Sequence, residues 1–178
     1  LFGQYIPKEE LDSAFETARL LSIELDQRKR DMCCEVIFSS LVPREELFRC
    51  ERILTDKLGL ASLRMVPKYT PDLFSPSYFP EIALLLKRRV SVANGYFNGS
   101  TAEYDGNVLK VELKNGGYQL LKEAKTDLEI QKIVMEEFSL PVEVEFIGVL
   151  SKTLDEHEQM IASVVDELPP PPADYDVP

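Results

Sequence analysis

The chain predicts an α+β protein built as two small units, each an antiparallel or mixed sheet with helices on one face. Three observations carry this. Between residues 91 and 148 two alternating apolar segments flank Asp105-Gly106, a pair that supplies the positive φ angles of a tight hairpin turn. The apolar period then changes from two to about 3.6 and back to two, giving strand, strand, helix, helix, strand. The first seventy residues give a looser echo of that order, hairpin, helix, strand.

In the second unit Thr101 to Tyr104 leads into the turn, and Leu109, Val111 and Leu113 alternate with Lys110 and Glu112, so one face is buried and the other wet. Asn115-Gly116-Gly117 breaks the strand, and Tyr118 to Glu123 reads as a short helix. Thr126 followed by Glu129 has the spacing of a capping box, and Ile130, Ile133, Val134 and Phe138 form the apolar stripe of the next helix. After Ser139-Leu140-Pro141, Val142, Val144 and Phe146 point inward, with Glu143 and Glu145 outward.

In the first unit, Pro7 to Phe15 has proline and acids in a first helical turn. Leu21, Ile23 and Leu25 alternate as a strand, and Met32, Cys34, Val36 and Phe38 as a second one. Pro43 opens a helix with Leu47, Cys50, Leu54 and Leu58 on one stripe, which Gly59 ends. A short strand through Ala61, Leu63 and Met65 stops at Pro67. Lys68 to Pro80 holds three prolines and four aromatics. As a linker it would leave the rings in water, so an ordered crossover is expected, leading to a helix from about Ser77 to Arg89. Val90 to Asn98 reads as a second, shorter helix. The expected divisions are 1–70, 71–149 and an acidic, proline-rich connector over 150–178, where Leu168 precedes four prolines that impose polyproline II geometry.

Composition narrows the function classes. The 178 residues carry a net charge of −11; residues 151–178 hold seven acids against Lys152, which leaves −5 for the rest. Nucleic-acid affinity rests largely on Lys and Arg neutralising phosphates, so an acidic body is a poor start for it. No apolar run approaches twenty residues, and Leu1-Phe2-Gly3-Gln4-Tyr5 has no signal-peptide character. Three cysteines, two of them adjacent (Cys33, Cys34), make no disulfide framework and suit a reducing cytoplasm.

No set of residues reads as catalytic. The only histidine, His157, lies in the acidic connector, far from a packed triad. Cys33, Cys34 and Cys50 lack zinc spacing and read as buried apolar residues. Asn115-Gly116-Gly117 has no Gly-Lys-Ser/Thr after it and reads as a turn. Glu143 and Glu145 lie on a wet face and Glu136 and Glu137 at a helix end, so none is expected in an apolar surround that would raise its pKa. No metal, cofactor or catalytic residue is expected. Two basic clusters remain as candidate nucleic-acid contacts: Arg28, Lys29 and Arg30 at a hairpin tip, and Lys87, Arg88 and Arg89 at a helix end. Solvated charge at the tip and the helix dipole at the helix end are the preferred explanations. Tyr96 and Phe97 could stack on bases, but core packing is the preferred reading.

Three stretches carry a family resemblance: "EVIFSSLVPREELFRCERILTDKLG", "YFPEIALLLKRR" and "YDGNVLKVELKNGGYQLLKEAKTDLEIQKIVMEEFSLPVEVEF". Over about Leu20 to Gly148 the chain resembles the N-terminal region of the PolC-type DNA polymerase III alpha subunit, the replicative polymerase of low-GC Gram-positive bacteria. The third stretch is also similar to the polymerase-binding C-terminal domain of the clamp-loader tau subunit, a truncated KH-like fold. The resemblance implies a non-catalytic interaction module that contacts replisome partners, the tau subunit first. Polymerase, proofreading exonuclease and an OB-fold would lie downstream, with 150–178 as the connector. It transfers no catalytic residue to this sequence. Nucleic-acid-binding KH domains carry a GxxG loop between two helices; here that loop is Ala124-Lys125. An auxiliary single-stranded nucleic-acid-binding module is the alternative.

Overall fold

A computed structural model describes residues 5–6, 13–93 and 95–148. Most of the helix expected over 7–15 lies outside them, with a 3-10 turn at Ser13–Glu16 inside. The connector with His157 lies wholly outside.

The first unit opens with an antiparallel hairpin of β1 (Arg19–Asp26) and β2 (Asp31–Ile37). Asp26 shapes its tip: Oδ1 accepts the backbone N–H groups of Arg28 at 3.0 Å and Lys29 at 3.1 Å, donors that no ladder reaches. Helix α1 (Arg44–Leu58) follows Pro43 and buries Leu47, Cys50 and Leu54. Gly59, at φ 63°, ends it in the left-handed conformation that glycine adopts without steric cost. Strand β3 (Ser62–Lys68) then pairs parallel with β2. It does not stop at Pro67, which lies opposite Val36 inside the ladder. Because β3 is an edge strand, a residue without an N–H is tolerated there.

The second unit repeats the plan. Strands β4 (Thr101–Tyr104) and β5 (Val108–Leu113) form an antiparallel hairpin. Asp105 Oδ1 accepts the N–H groups of Asn107 and Val108 at its turn. Helices α3 (Tyr118–Glu123) and α4 (Thr126–Phe138) cross over, and β6 (Glu143–Gly148) pairs parallel with β5, setting Val144 against Leu109 and Phe146 against Val111. In both three-stranded mixed sheets the second strand of the hairpin is central, antiparallel to the first and parallel to the third. The echo of element order is therefore one of sheet topology as well.

Between the units, Tyr69, Phe74, Tyr78 and Phe79 are buried, as an ordered crossover requires. Helix α2 (Phe79–Arg89) starts two residues later than expected, because Ser77 belongs to a 3-10 turn at Pro76–Tyr78. The helix expected over Val90 to Asn98 is a 3-10 turn at Ser91–Ala93 followed by irregular turns that bury Phe97.

The capping box at Thr126 does not form. Lys125, at φ 54°, is the residue that precedes the helix, so Thr126 is already helical; it is buried, and its Oγ1 meets no hydrogen-bond partner among the described residues. The Glu129 carboxylate turns instead to Arg89 at 2.9 Å and Lys132 at 3.5 Å.

The buried apolar residues of both units form one continuous cluster. Its spine is aromatic: Phe15 to Phe38 at 5.1 Å between centroids, Phe38 to Tyr69 at 6.2 Å and Tyr69 to Phe138 at 5.0 Å. Phe138, at the end of α4, also meets Phe74 and Tyr78 at 5.1 and 5.0 Å. Helix α4 packs against β6 and α3 of its own unit, β3 of the other, and α2.

Candidate functional site

The inner end of α4 carries a charge cluster that the spacing of acids did not reveal. The Glu137 carboxylate accepts hydrogen bonds from Arg44 Nη2 at 2.7 and 2.8 Å and from the Tyr78 hydroxyl at 2.9 Å. Arg44 Nη2 also reaches the Tyr78 hydroxyl at 2.9 Å. Both charged side chains are only 2% exposed. The expectation that no carboxylate sits in an apolar surround is corrected here. Burial pushes the Glu137 carboxyl above its ordinary value, while the Arg44 charge and the hydrogen bonds from Arg44 and Tyr78 pull it back. Burial likewise works against the Arg44 charge, and Glu137 more than offsets it.

The sequence did hold a signal for this pair. Arg44 is a cation in the first turn of α1 and Glu137 an anion in the last turn of α4, so each opposes its own helix dipole. Such misplaced charges are tolerated when they compensate each other. The cluster is sealed from solvent and links α1 of one unit to α4 of the other.

The basic run on α2 does not form a cationic surface of three free side chains. Arg88 pairs with Glu51 at 3.0 Å and lies over the Phe48 ring, 3.2 Å from its centroid. Arg89 bridges Glu129 at 2.9 Å and Glu136 at 3.0 Å. Lys87 donates to Asn98 Oδ1 at 3.3 Å. Arg28, Lys29 and Arg30 are exposed at the β1–β2 tip, where Lys29 faces Asp26 at 3.8 Å. The two clusters stay on separate elements.

The cysteines take opposite faces of β2 as alternation requires, Cys34 buried and Cys33 partly exposed beside Arg64 Nη2 at 3.4 Å. Burial pushes the Cys34 thiol up to about 12 and the Cys50 thiol up to about 11, so neither supplies a thiolate near neutrality. Among the described residues no group of three or more His, Cys, Asp or Glu side chains could hold a metal ion, and no helix is long and apolar enough to cross a membrane.

Among the described residues, exposed apolar side chains include a group on α4 and a group on β1. The outer face of α4 presents Leu128 and Met135, which with Pro141 and Val142 line a groove of about 430 Å³ rimmed by Gln131, Lys132 and Glu136. The other group lies on β1. Its alternation predicts one buried face, yet Leu21, Ile23 and Leu25 are 56%, 44% and 47% exposed. Helix α1 lies over β3, and among the described residues no helix covers β1 in the same way.

The chain matches no family model, no curated protein and no solved structure.

Proposed function

We propose that the chain is a non-catalytic protein-interaction module at the amino end of a PolC-type replicative DNA polymerase, working in DNA replication in the cytoplasm. It docks a replisome partner, the clamp-loader tau subunit first, on the outer face of α4. The polymerase context rests on the three stretches that resemble that family. The observation that carries the docking role is the α4 groove: Leu128 and Met135 stay exposed on a helix whose opposite face is fully buried, and Lys132 and Glu136 at the rim supply charges of both signs. Apolar centres with polar rims are how protein partners bind. The KH-like reading of the second unit rests on its element order, and Ala124-Lys125 in place of GxxG speaks against nucleic acid by that route.

Calorimetric titration of the chain with purified tau subunit tests this. Binding is expected, lost in Leu128→Asp/Met135→Asp and retained when Arg28, Lys29 and Arg30 are changed to Ala. Wild-type binding that survives the groove variant would move the site elsewhere.

A second reading, an auxiliary single-stranded nucleic-acid-binding module, is favoured by one observation: Arg28, Lys29 and Arg30 are all exposed at one hairpin tip. Fluorescence anisotropy with a single-stranded oligonucleotide near physiological salt decides between them. Submicromolar affinity that falls when the three are changed to Ala would favour the second reading.

A further inference from the structure

Among the described residues, strand β1 is an edge strand of eight residues, hydrogen-bonded to β2 on one side only, and almost every residue in it is exposed. Long apolar edges are usually blunted with lysine, proline or inward charge, because unpaired N–H and C=O groups template further pairing. The opposite edge of the same sheet, β3, carries Pro67 and lies against α4. The sequence RLLSIELD has neither lysine nor proline.

Its order of residues is self-complementary. The register with β2 skips Leu21, so Leu20, Ile23 and Leu25 stand on the face of Val36, Cys34 and Met32, and Arg19, Ser22, Glu24 and Asp26 on the other. An antiparallel copy centred on Ile23, with the same bulge at Leu21, sets Ile23 against Ile23 and Leu25 against Leu20 on the apolar face. On the polar face it sets Glu24 against Ser22 and Asp26 against Arg19. Every pair matches like faces, and the two strand ends, one basic and one acidic, fall opposite each other twice. Cross-strand pairs of these kinds stabilise a sheet.

We infer that β1 is the contact between two copies of this chain, which pair antiparallel about a two-fold axis at Ile23 to give one six-stranded sheet. Such a contact is isologous and closes on itself, so it yields a dimer and no fibre. With eight residues per copy it is small, and the dimer dissociates on dilution. The inference is independent of the α4 groove.

Sedimentation velocity over a concentration series tests it. The wild type is expected to move from monomer to dimer with rising concentration. Ile23→Lys, which places two cations against each other at the axis, is expected to weaken the dimer at least about tenfold. Arg19→Asp is expected to weaken it, because two acids then face each other, and adding Asp26→Arg is expected to restore it. All three positions are exposed, and circular dichroism confirms that each variant folds. A wild type that stays monomeric throughout, a dimer indifferent to Ile23→Lys, or a double reversal that fails to restore association would each overturn the inference. So would β1 amides that gain exchange protection only when tau subunit is added, since the edge would then serve another partner.

Discussion

Arg44 and Glu137, 93 positions apart, meet at 2.7 Å with almost no exposure to water and tie the start of α1 to the end of α4. Each sits at the wrong end of its helix for the dipole, and each is the other's compensation. Next to them, Phe138 gathers the rings of Tyr69, Phe74 and Tyr78. The two repeated units thus share a charged lock and an aromatic hub.

Removing one side of a buried pair leaves the other charge unpaired and costs about 3–5 kcal/mol, whereas replacing both by apolar residues is often close to neutral. Arg44→Met and Glu137→Leu are each expected to destabilise the chain strongly, and the double variant by less than either. Urea unfolding of the four proteins gives the coupling directly. Additive losses would mean that the pair does not act as a unit.

Much of this fold was legible in the sequence, because period and turn chemistry are local. The hairpin at Asp105-Gly106 follows from turn chemistry, and the α4 stripe and the inward face of β6 from apolar spacing. What escaped is tertiary. Thr126 and Glu129 have capping-box spacing, but the left-handed Lys125 makes Thr126 helical and Arg89 claims Glu129. The alternation in β1 implies a covering layer that α1 does not supply, since the crossover places α1 over β3. Lys87, Arg88 and Arg89 read as one basic run, yet their side chains diverge to Asn98, Glu51 and a pair of α4 carboxylates.

The glycine before α3 has a specific neighbour. Gly117 adopts φ 83°, and a Cβ there would lie 2.3 Å from the Tyr96 ring. Gly99, also left-handed, faces open space. Gly99→Ala is expected to cost roughly 1–2 kcal/mol from backbone strain alone, and Gly117→Ala distinctly more. Tyr96→Ala should recover part of the Gly117→Ala loss. Equal thermal shifts for the two glycine variants would contradict the packing of Tyr96.

The sheet face of β6 offers a contrast between neighbours. Phe146 is buried against Phe97 and Tyr118, while Glu145 points to solvent. Phe146→Ala is expected to cost about 3–5 kcal/mol, and Glu145→Ala about 0.5 kcal/mol or less. A common denaturant midpoint would show that the inward face is misassigned.

Thiol labelling reads the burial of β2 and α1. In the native protein iodoacetamide is expected to modify Cys33 and spare Cys34 and Cys50, whose thiols burial holds protonated. All three react after denaturation. Mass spectrometry of the digested protein assigns each site, and rapid native modification of Cys34 would place it outside the core.

The proposed interaction role is tested most directly by nuclear magnetic resonance of the isotope-labelled chain, titrated in parallel with the clamp-loader tau subunit and with single-stranded DNA. The expected result is a set of shift changes around Leu128, Lys132, Met135 and Val142 on adding the protein, with little response to the DNA. Shifts confined to Arg28, Lys29 and Arg30 on adding DNA, with the α4 face silent toward the protein, would contradict it.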